Sequence, residues 1–322
     1  MNKAVVIDKH GGPEAFRLEE RPDAAPAEGE IAVENTAIGL NFIDIYQRKG
    51  VYPMSLPAIL GSEGAGRVAA VGARVTTLKV GDRVAYLAGS AYQTRVIVPA
   101  VMAAMIPPGV SDETAAAAFL KGLTAEMLVR QIFPLTKGHT ALIHAAAGGV
   151  GSILTQWAAY LGADVIAIVG EESKAALARE YGAKHVIVRT ETASISAQVR
   201  KLTGGRGVDV VYDSVGAATF EASLDCLAMR GLMVSYGNAS GPVPPVAPLE
   251  LSRRGSLFLT RPTLFHYATP DRLPAMAADL FAMIAGGHLR IPAPKVFPLE
   301  KTADAHRLLE SGKSTGSIVL RP

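Results

Sequence analysis

The sequence predicts an α/β fold: a doubly wound parallel sheet in the middle of the chain, preceded by a mostly β region. Three observations carry this. Between residues 124 and 261, β runs alternate with helical stretches, the pattern of parallel strands joined by crossover helices. Before residue 124, short β runs are punctuated by Gly and Pro. The chain has 322 residues, about twice a typical domain, and is 49% hydrophobic and 19% charged, which suits large buried elements and excludes global disorder.

In chain order, Met1 to Lys9 holds only Ala4 to Ile7 as an apolar run, too short for a signal peptide, so a cytoplasmic protein is expected. Glu30 to Asn35, Gly66 to Val71 and Arg83 to Tyr86 read as further strands. The middle block opens with Ala141 to Ala145 and continues with Val165 to Val169, His185 to Val188, Val208 to Tyr212, Leu232 to Tyr236 and Ser256 to Thr260. After its first strand, Val150, Ile153, Leu154, Trp157, Ala158 and Leu161 recur at helical spacing, and that face is expected to pack on the sheet. Thr269 followed by Pro270 starts a helix that Gly286-Gly287 ends, Thr302 to Leu309 forms another stopped by Gly312, and Ser317 to Leu320 is a closing β run.

Gly138 to Ala163 carries no Asp, Glu, Lys or Arg and is long enough to cross a bilayer. Gly148, Gly149 and Gly151 interrupt it, and His144 and Gln156 would be costly in lipid, so it reads as strand, glycine turn and helix, with no membrane partner. The net charge is +3, from 32 Lys and Arg against 29 Asp and Glu, without the basic cluster that specific nucleic-acid binding needs. The single cysteine, Cys226, excludes an internal disulfide and a Cys-rich zinc lobe, and reads as a small apolar helix residue within Leu224 to Leu227.

The chemistry begins at Ala145-Ala146-Ala147-Gly148-Gly149-Val150-Gly151, between a buried strand and an amphipathic helix. Ala146, Gly148 and Gly151 occupy the three glycine positions of a dinucleotide fingerprint, with Ala in the first. A bare Gly148 lets the backbone approach a pyrophosphate, the opening amides of the helix face the anion, and Gly151 lets helix and strand pack closely. The second strand ends at Val169-Gly170. Glu171 and Glu172 follow about 20 residues after the fingerprint, which by the simple rule favours NAD. Lys174, one helical turn on, and Arg189, ending the third strand, can instead converge on a 2′-phosphate. Together, after a strand ending in Gly rather than Asp, they favour NADP.

Asn41-Phe42-Ile43-Asp44-Ile45-Tyr46, Gly50-Val51-Tyr52-Pro53, Gly61-Ser62-Glu63-Gly64-Ala65-Gly66-Arg67-Val68 and Gly81-Asp82-Arg83-Val84 resemble the medium-chain dehydrogenase/reductase superfamily. Phe119-Leu120-Lys121-Gly122-Leu123-Thr124, Tyr212-Asp213-Ser214-Val215-Gly216 and Arg230 to Asn238 narrow the resemblance to its quinone oxidoreductase, or ζ-crystallin-like, branch, in register over essentially the whole chain. The resemblance implies a GroES-like β domain built from both chain ends (1–123 and 262–322), a Rossmann domain between them (124–261), NADPH in the interdomain cleft, and a homodimer. It also implies that Thr124, Ala147, Gly148, Gly149, Val150, Gly151, Gly170, Lys174, Arg189, Ser214 and Asn238 serve the cofactor. Arg189 stands where bacterial members often carry tyrosine, and Val188 and Thr190 also depart from the common pattern.

Zinc-dependent relatives carry a histidine directly after the glycine that Gly61 matches and a cysteine near the position of Asn41. Here Ser62 and Asn41 are poor zinc ligands, so no metal is expected. Asn41, Tyr46 and Tyr52 match residues that line the family's substrate site. The expected activity is transfer of reducing equivalents from NADPH to a quinone. Two alternatives stay open: an enone or alkenal double-bond reductase, and a non-catalytic NADPH-binding protein, crystallin-like or RNA-binding.

Overall fold

The sheet in the middle of the chain holds six strands, and in the computed structural model, which describes residues 1–189 and 195–322, every neighbouring pair in it is parallel. Thr190 lies outside the described residues. The strands lie in the order His185–Val188, Asp164–Val169, Thr140–Ile143, Val208–Asp213, Leu227–Ser235 and Phe258–Thr260. In sequence terms this is 3-2-1-4-5-6, the Rossmann order, which reverses direction beside the first strand and opens a crevice at its carboxyl end. Burial of both faces explains the continuous Val, Ile and Leu runs of the inner strands. Leu142, Ile166, Ile168, Val211 and Met233 share one core with Phe220 and Leu224 of the helix Phe220–Cys226. Cys226 is the last residue of that helix and is buried; Leu227, read from sequence as part of the same helix, starts the next strand.

Thr124–Tyr267 forms one compact unit, and Met1–Leu123 with Ala268–Pro322 forms the other. The latter is mostly β. Seven strands make its main sheet, in which Ile318–Arg321 from the end of the chain pairs antiparallel with Glu30–Leu40 from its beginning. Asn2–Ile7 is the centre of a smaller three-stranded sheet. The helix Asp112–Glu126, Ala-rich and almost wholly buried through its centre, contributes Leu120 and Lys121 to this unit. Among the described residues no helix is long and apolar enough to cross a membrane.

Candidate active site

In the Rossmann unit the site starts at the glycine turn. Ala145 takes φ +50°, a left-handed conformation that costs a residue with a Cβ about 1–2 kcal/mol. The turn delivers the chain into the helix Gly149–Tyr160, with Gly148 as N-cap and no side-chain cap. Gly148 N–H donates to Ala145 O (2.8 Å) and Ser152 N–H to Gly148 O (2.9 Å). The N–H groups of Gly149, Val150 and Gly151 have no acceptor among the described residues. Three uncommitted donors at the positive end of the helix dipole form a cradle for an anion. It is bare as well: a Cβ on Gly148 would meet Ala145 alone, its O at 3.1 Å and its Cβ at 3.9 Å. A Cβ on Gly151 would collide with the Ala145 carbonyl, so that glycine sets the close packing of helix on strand. Ala146 and Ala147 are buried beneath the turn.

Gly170 and Arg189 leave the sheet side by side, because their strands are parallel and register Val169 with Val188. Arg189 N–H donates to Val169 O (2.8 Å). Lys174 ends the 3-10 turn Glu172–Lys174, and its ammonium lies 3.4 Å from a Glu171 carboxylate oxygen. Cation and carboxylate thus stand together at the strand end where a ribose hydroxyl or its phosphate would be read. Lys174→Ala is expected to raise the apparent constant for NADPH roughly 10- to 100-fold, the range of a charge-assisted hydrogen bond, and to change that for NADH little. Parallel titrations with both nucleotides check this, and equal effects would remove Lys174 from phosphate recognition.

Ser214 sits in a turn organised by Asp213, whose carboxylate accepts from Val215 N–H (2.7 Å), Gly216 N–H (3.1 Å), Thr219 Oγ1 and Ser223 Oγ (2.8 Å). Ser223 Oγ also meets His144 Nε2 at 2.9 Å. Burial holds the His144 imidazole below its ordinary range, so it stays neutral. Asn238 is a neighbour of Ser214, since Ala239 N–H donates to Ser214 O (3.2 Å). Its amide is satisfied by donating to Gly237 O (2.8 Å) and accepting from Arg261 (3.3 Å). Thr124 is buried in the helix Asp112–Glu126.

In the other unit, Asn41 is the N-cap of the helix Phe42–Arg48, and Asp44 three residues on accepts from Asn41 N–H (2.8 Å). Asp44 is fully buried and also accepts from Ser62 Oγ (2.9 Å) and Tyr92 OH (2.9 Å). Asn41 Nδ2 donates to Glu63 Oε1 (2.8 Å), which Lys121 Nζ approaches at 3.1 Å, and Leu120 N–H donates to Glu63 Oε2 (2.7 Å). Gly39 makes room for Glu63, since a Cβ there would strike the carboxylate. Tyr46 and Tyr52 meet edge to face with ring centroids 5.4 Å apart, and Phe42 lies 6.1 Å from Tyr46. Behind Asp44, Tyr92 OH lies 3.1 Å from His306 Nε2, and Arg48 Nη1 lies 3.1 Å from His306 Nδ1. Of the three residues matched to the family's substrate site, Asn41 is thus held by two buried carboxylates and Tyr46 and Tyr52 pack on one another; Lys121 on Glu63, Tyr92 on Asp44, and His306 and Arg48 behind Tyr92 carry no spacing motif.

Burial pushes the Asp44 carboxyl up to about 6, partly offset by its donors Asn41, Ser62 and Tyr92, with Glu63 adding to the rise. A proton on Asp44 competes with one of those donors, so kcat/KM is expected to fall on the acid side with a midpoint near this value, and Asp44→Asn to lower the rate and abolish the limb. For stability the sign is opposite to that of a paired surface carboxylate. With the folded value raised above the ordinary 3.8, Asp44's contribution is fully present below about pH 4 and is lost as pH rises through about 6.

Ser62 Oγ donates to Asp44 and Asn41 Nδ2 to Glu63. A hydroxyl committed to Asp44 and an amide committed to Glu63 are poor ligands, and among the described residues no group of three or more His, Cys, Asp or Glu could hold a metal ion.

Two family models match the chain, one described as "Alcohol dehydrogenase GroES-like domain" over residues 27–129 and one as "Zinc-binding dehydrogenase" over residues 149–284. The chain is 48% identical to a quinone oxidoreductase of Pseudomonas aeruginosa over 326 aligned residues, covering 100% of both. It is 42% identical to a 2-haloacrylate reductase of a Burkholderia species, covering 100% of this chain and 99% of that one. Among solved structures, Escherichia coli quinone oxidoreductase complexed with NADPH superposes with a TM-score of 0.97 at 46% identity, covering 99% of this chain and 100% of that one.

Proposed function

The chain belongs to the quinone oxidoreductase branch of the medium-chain dehydrogenase/reductase superfamily, and on that premise we propose that it is an NADPH-dependent, zinc-free quinone oxidoreductase. The observation that carries the reading is the bare, uncapped start of the helix Gly149–Tyr160, in a chain whose Asn41 and Ser62 are committed to carboxylates. Ala147 to Gly151 hold the pyrophosphate, Lys174 and Arg189 the 2′-phosphate, and Gly170, Thr124, Ser214 and Asn238 line the path of the adenosine and nicotinamide ends. When bound, NADPH supplies a hydride equivalent. Asn41, Tyr46 and Tyr52 receive the acceptor: the two aromatic rings suit a flat ring, and Asn41 offers an amide to its oxygen. A quinone needs no strong Lewis acid, because hydroquinones are mildly acidic and water can supply their protons. Residues 1–123 and 262–322 serve the substrate side and residues 124–261 the cofactor side.

A second reading, reduction of a carbon-carbon double bond beside a carbonyl, is favoured by the 42% identity to a 2-haloacrylate reductase. A spectrophotometric assay of NADPH and NADH against 1,4-naphthoquinone, phenanthrenequinone, crotonaldehyde and 2-cyclohexenone separates the two. Quinone turnover with NADPH is the expected result; dominant enone turnover favours the second reading, and tight cofactor binding without any turnover overturns both. Metal analysis of the purified protein is expected to find no stoichiometric zinc.

The working assembly in this reading is a cytoplasmic homodimer. In its support, the edge strand Phe258–Thr260 leaves Phe258 60% and Leu259 37% exposed, and Met229 on the neighbouring strand is 78% exposed. An uncovered apolar edge is a template for pairing with a second copy. Light scattering is expected to give twice the 33.6 kDa chain mass.

A further inference from the structure

Glu63 is sealed from solvent, whereas the residues that donate to it, Asn41 and Lys121, each keep 5% exposure. Asn41 Nδ2 and Lys121 Nζ approach the same oxygen, Glu63 Oε1, at 2.8 and 3.1 Å, which brings the two nitrogens within reach of a single ligand atom. A lysine ammonium carries three N–H donors. Glu63 Oε1 is the acceptor for Lys121 among the described residues, which leaves two of its donors without a protein partner. Unmet donors on a buried cation are costly, and a buried ion pair of this kind can often be replaced by apolar residues of similar volume without loss of stability. Folding alone therefore gives no reason for the Glu63–Lys121 pair as a whole; an acceptor atom arriving with the substrate does.

We infer that Lys121 is a further catalytic residue, a cationic donor that, beside Asn41 Nδ2, binds the carbonyl oxygen of the acceptor and offsets the negative charge gathering there during reduction. Glu63 fixes the ammonium in place and keeps the resting site neutral. The role is electrostatic: no bond at Lys121 forms or breaks, and the electron pair arrives as the hydride equivalent already assigned to NADPH. It selects acceptors that place an oxygen at these donors, and it rests on the reading above that a carbonyl compound is reduced.

Because K121M strands the Glu63 carboxylate and E63Q strands the Lys121 ammonium, the decisive variant is E63Q/K121M, which has no charge left to neutralise, compared with K121R and wild type. In the NADPH-loaded enzyme, kcat for 1,4-naphthoquinone is expected to fall about 100-fold in E63Q/K121M relative to wild type, the usual effect of losing one preorganised donor, with NADPH affinity by fluorescence titration little changed. K121R, which keeps a cationic donor, is expected to retain most of the rate. Equal rates in wild type and E63Q/K121M would overturn the inference, since Lys121 would then only neutralise Glu63. A readout independent of turnover is the binding of 4-nitrophenolate with NADP⁺ present, followed by its visible absorption. Wild type is expected to bind it about 10-fold more tightly than E63Q/K121M, and equal binding overturns the inference as well. Lys121-dependent phenolate binding without turnover of any carbonyl compound would instead sink the enzymatic reading and leave the donor in place.

Discussion

Gly148→Val is expected to abolish NADPH binding with the fold intact, and Gly151→Val, three residues on, to damage the fold itself. The difference lies in what the new side chain meets. Gly148 has φ −82° and ψ −176°, a conformation open to any residue, and a Cβ there meets Ala145 alone, its O at 3.1 Å and its Cβ at 3.9 Å. A valine side chain there would compete with the pyrophosphate assigned to the neighbouring Gly149, Val150 and Gly151 amides. At Gly151 the added Cβ would strike the Ala145 carbonyl, with Ala146 Cα 2.9 Å away, and both are backbone that no rotamer change can move. We expect the NADPH dissociation constant of Gly148→Val to rise at least about 100-fold, about 2.7 kcal/mol, with its melting temperature within a few degrees of wild type. Gly151→Val is expected to lower the melting temperature by roughly 5–10 °C, as overpacking of about 1–3 kcal/mol does in a domain of this size. Fluorescence titration and thermal unfolding of both variants check the pair. Undiminished affinity in Gly148→Val would remove the cradle from the cofactor site.

The fingerprint was legible because it is local: glycine at the second and third positions, between a buried strand and a helix with an apolar face, leaves few other structures open. Most strands of the doubly wound sheet were legible for the same reason, since Val, Ile and Leu runs bounded by Gly need both faces buried. The strand Leu227–Ser235 is longer than the Leu232 to Tyr236 run that sequence predicts. Its first half contains Arg230 at φ +61° followed by Gly231, and the register with Val208–Asp213 shifts there, so it lacks the signature of a regular buried strand. The first glycine position holds Ala146, and the left-handed residue of the turn is Ala145, a conformation that no alanine announces in sequence. In the mostly β unit the contacts that matter are remote along the chain: Tyr92 meets His306 across 214 positions, and Arg48 meets the same ring across 258. No periodicity links such residues. Lys121 did leave a local trace, as a charge within the apolar stretch Ala115 to Leu123, where an unpaired lysine would be too costly to bury.

Those remote contacts make Arg48→Met the other substitution of large expected effect. Arg48 is fully buried; it donates to Gly11 O (3.1 Å), to His306 Nδ1 (3.1 Å) and to Glu310, which Lys49 also meets at 2.9 Å. A guanidinium can only donate, so His306 Nδ1 must accept, and the ring proton lies on Nε2. His306 then donates to the Tyr92 oxygen, and Tyr92 donates to Asp44. The direction of every hydrogen bond from Arg48 to the cap of Asn41 is thereby fixed, through a histidine that only the returning end of the chain supplies. Burial, and next the Arg48 charge, hold the His306 imidazole down to about 3. With the folded value depressed, its contribution to stability is present above its ordinary value of 6.5 and is lost as pH falls toward about 3, the reverse of the Asp44 contribution. Arg48→Met leaves Glu310 with Lys49 but the buried His306 Nδ1 without a donor, and an unsatisfied buried polar atom costs about 1–3 kcal/mol. We expect denaturant unfolding to report a loss in that range at pH 7, and kcat to fall with it, because nothing then sets the direction of the chain that ends at Asn41 and Ser62. Glu310→Gln, which leaves the fully buried Arg48 guanidinium without its carboxylate, is expected to cost about 3–5 kcal/mol. If the two variants proved equally mild, the order of the substrate-side residues would have to come from the local cap of Asp44 on Asn41 alone, and His306 would be a packing residue with no bearing on the reaction.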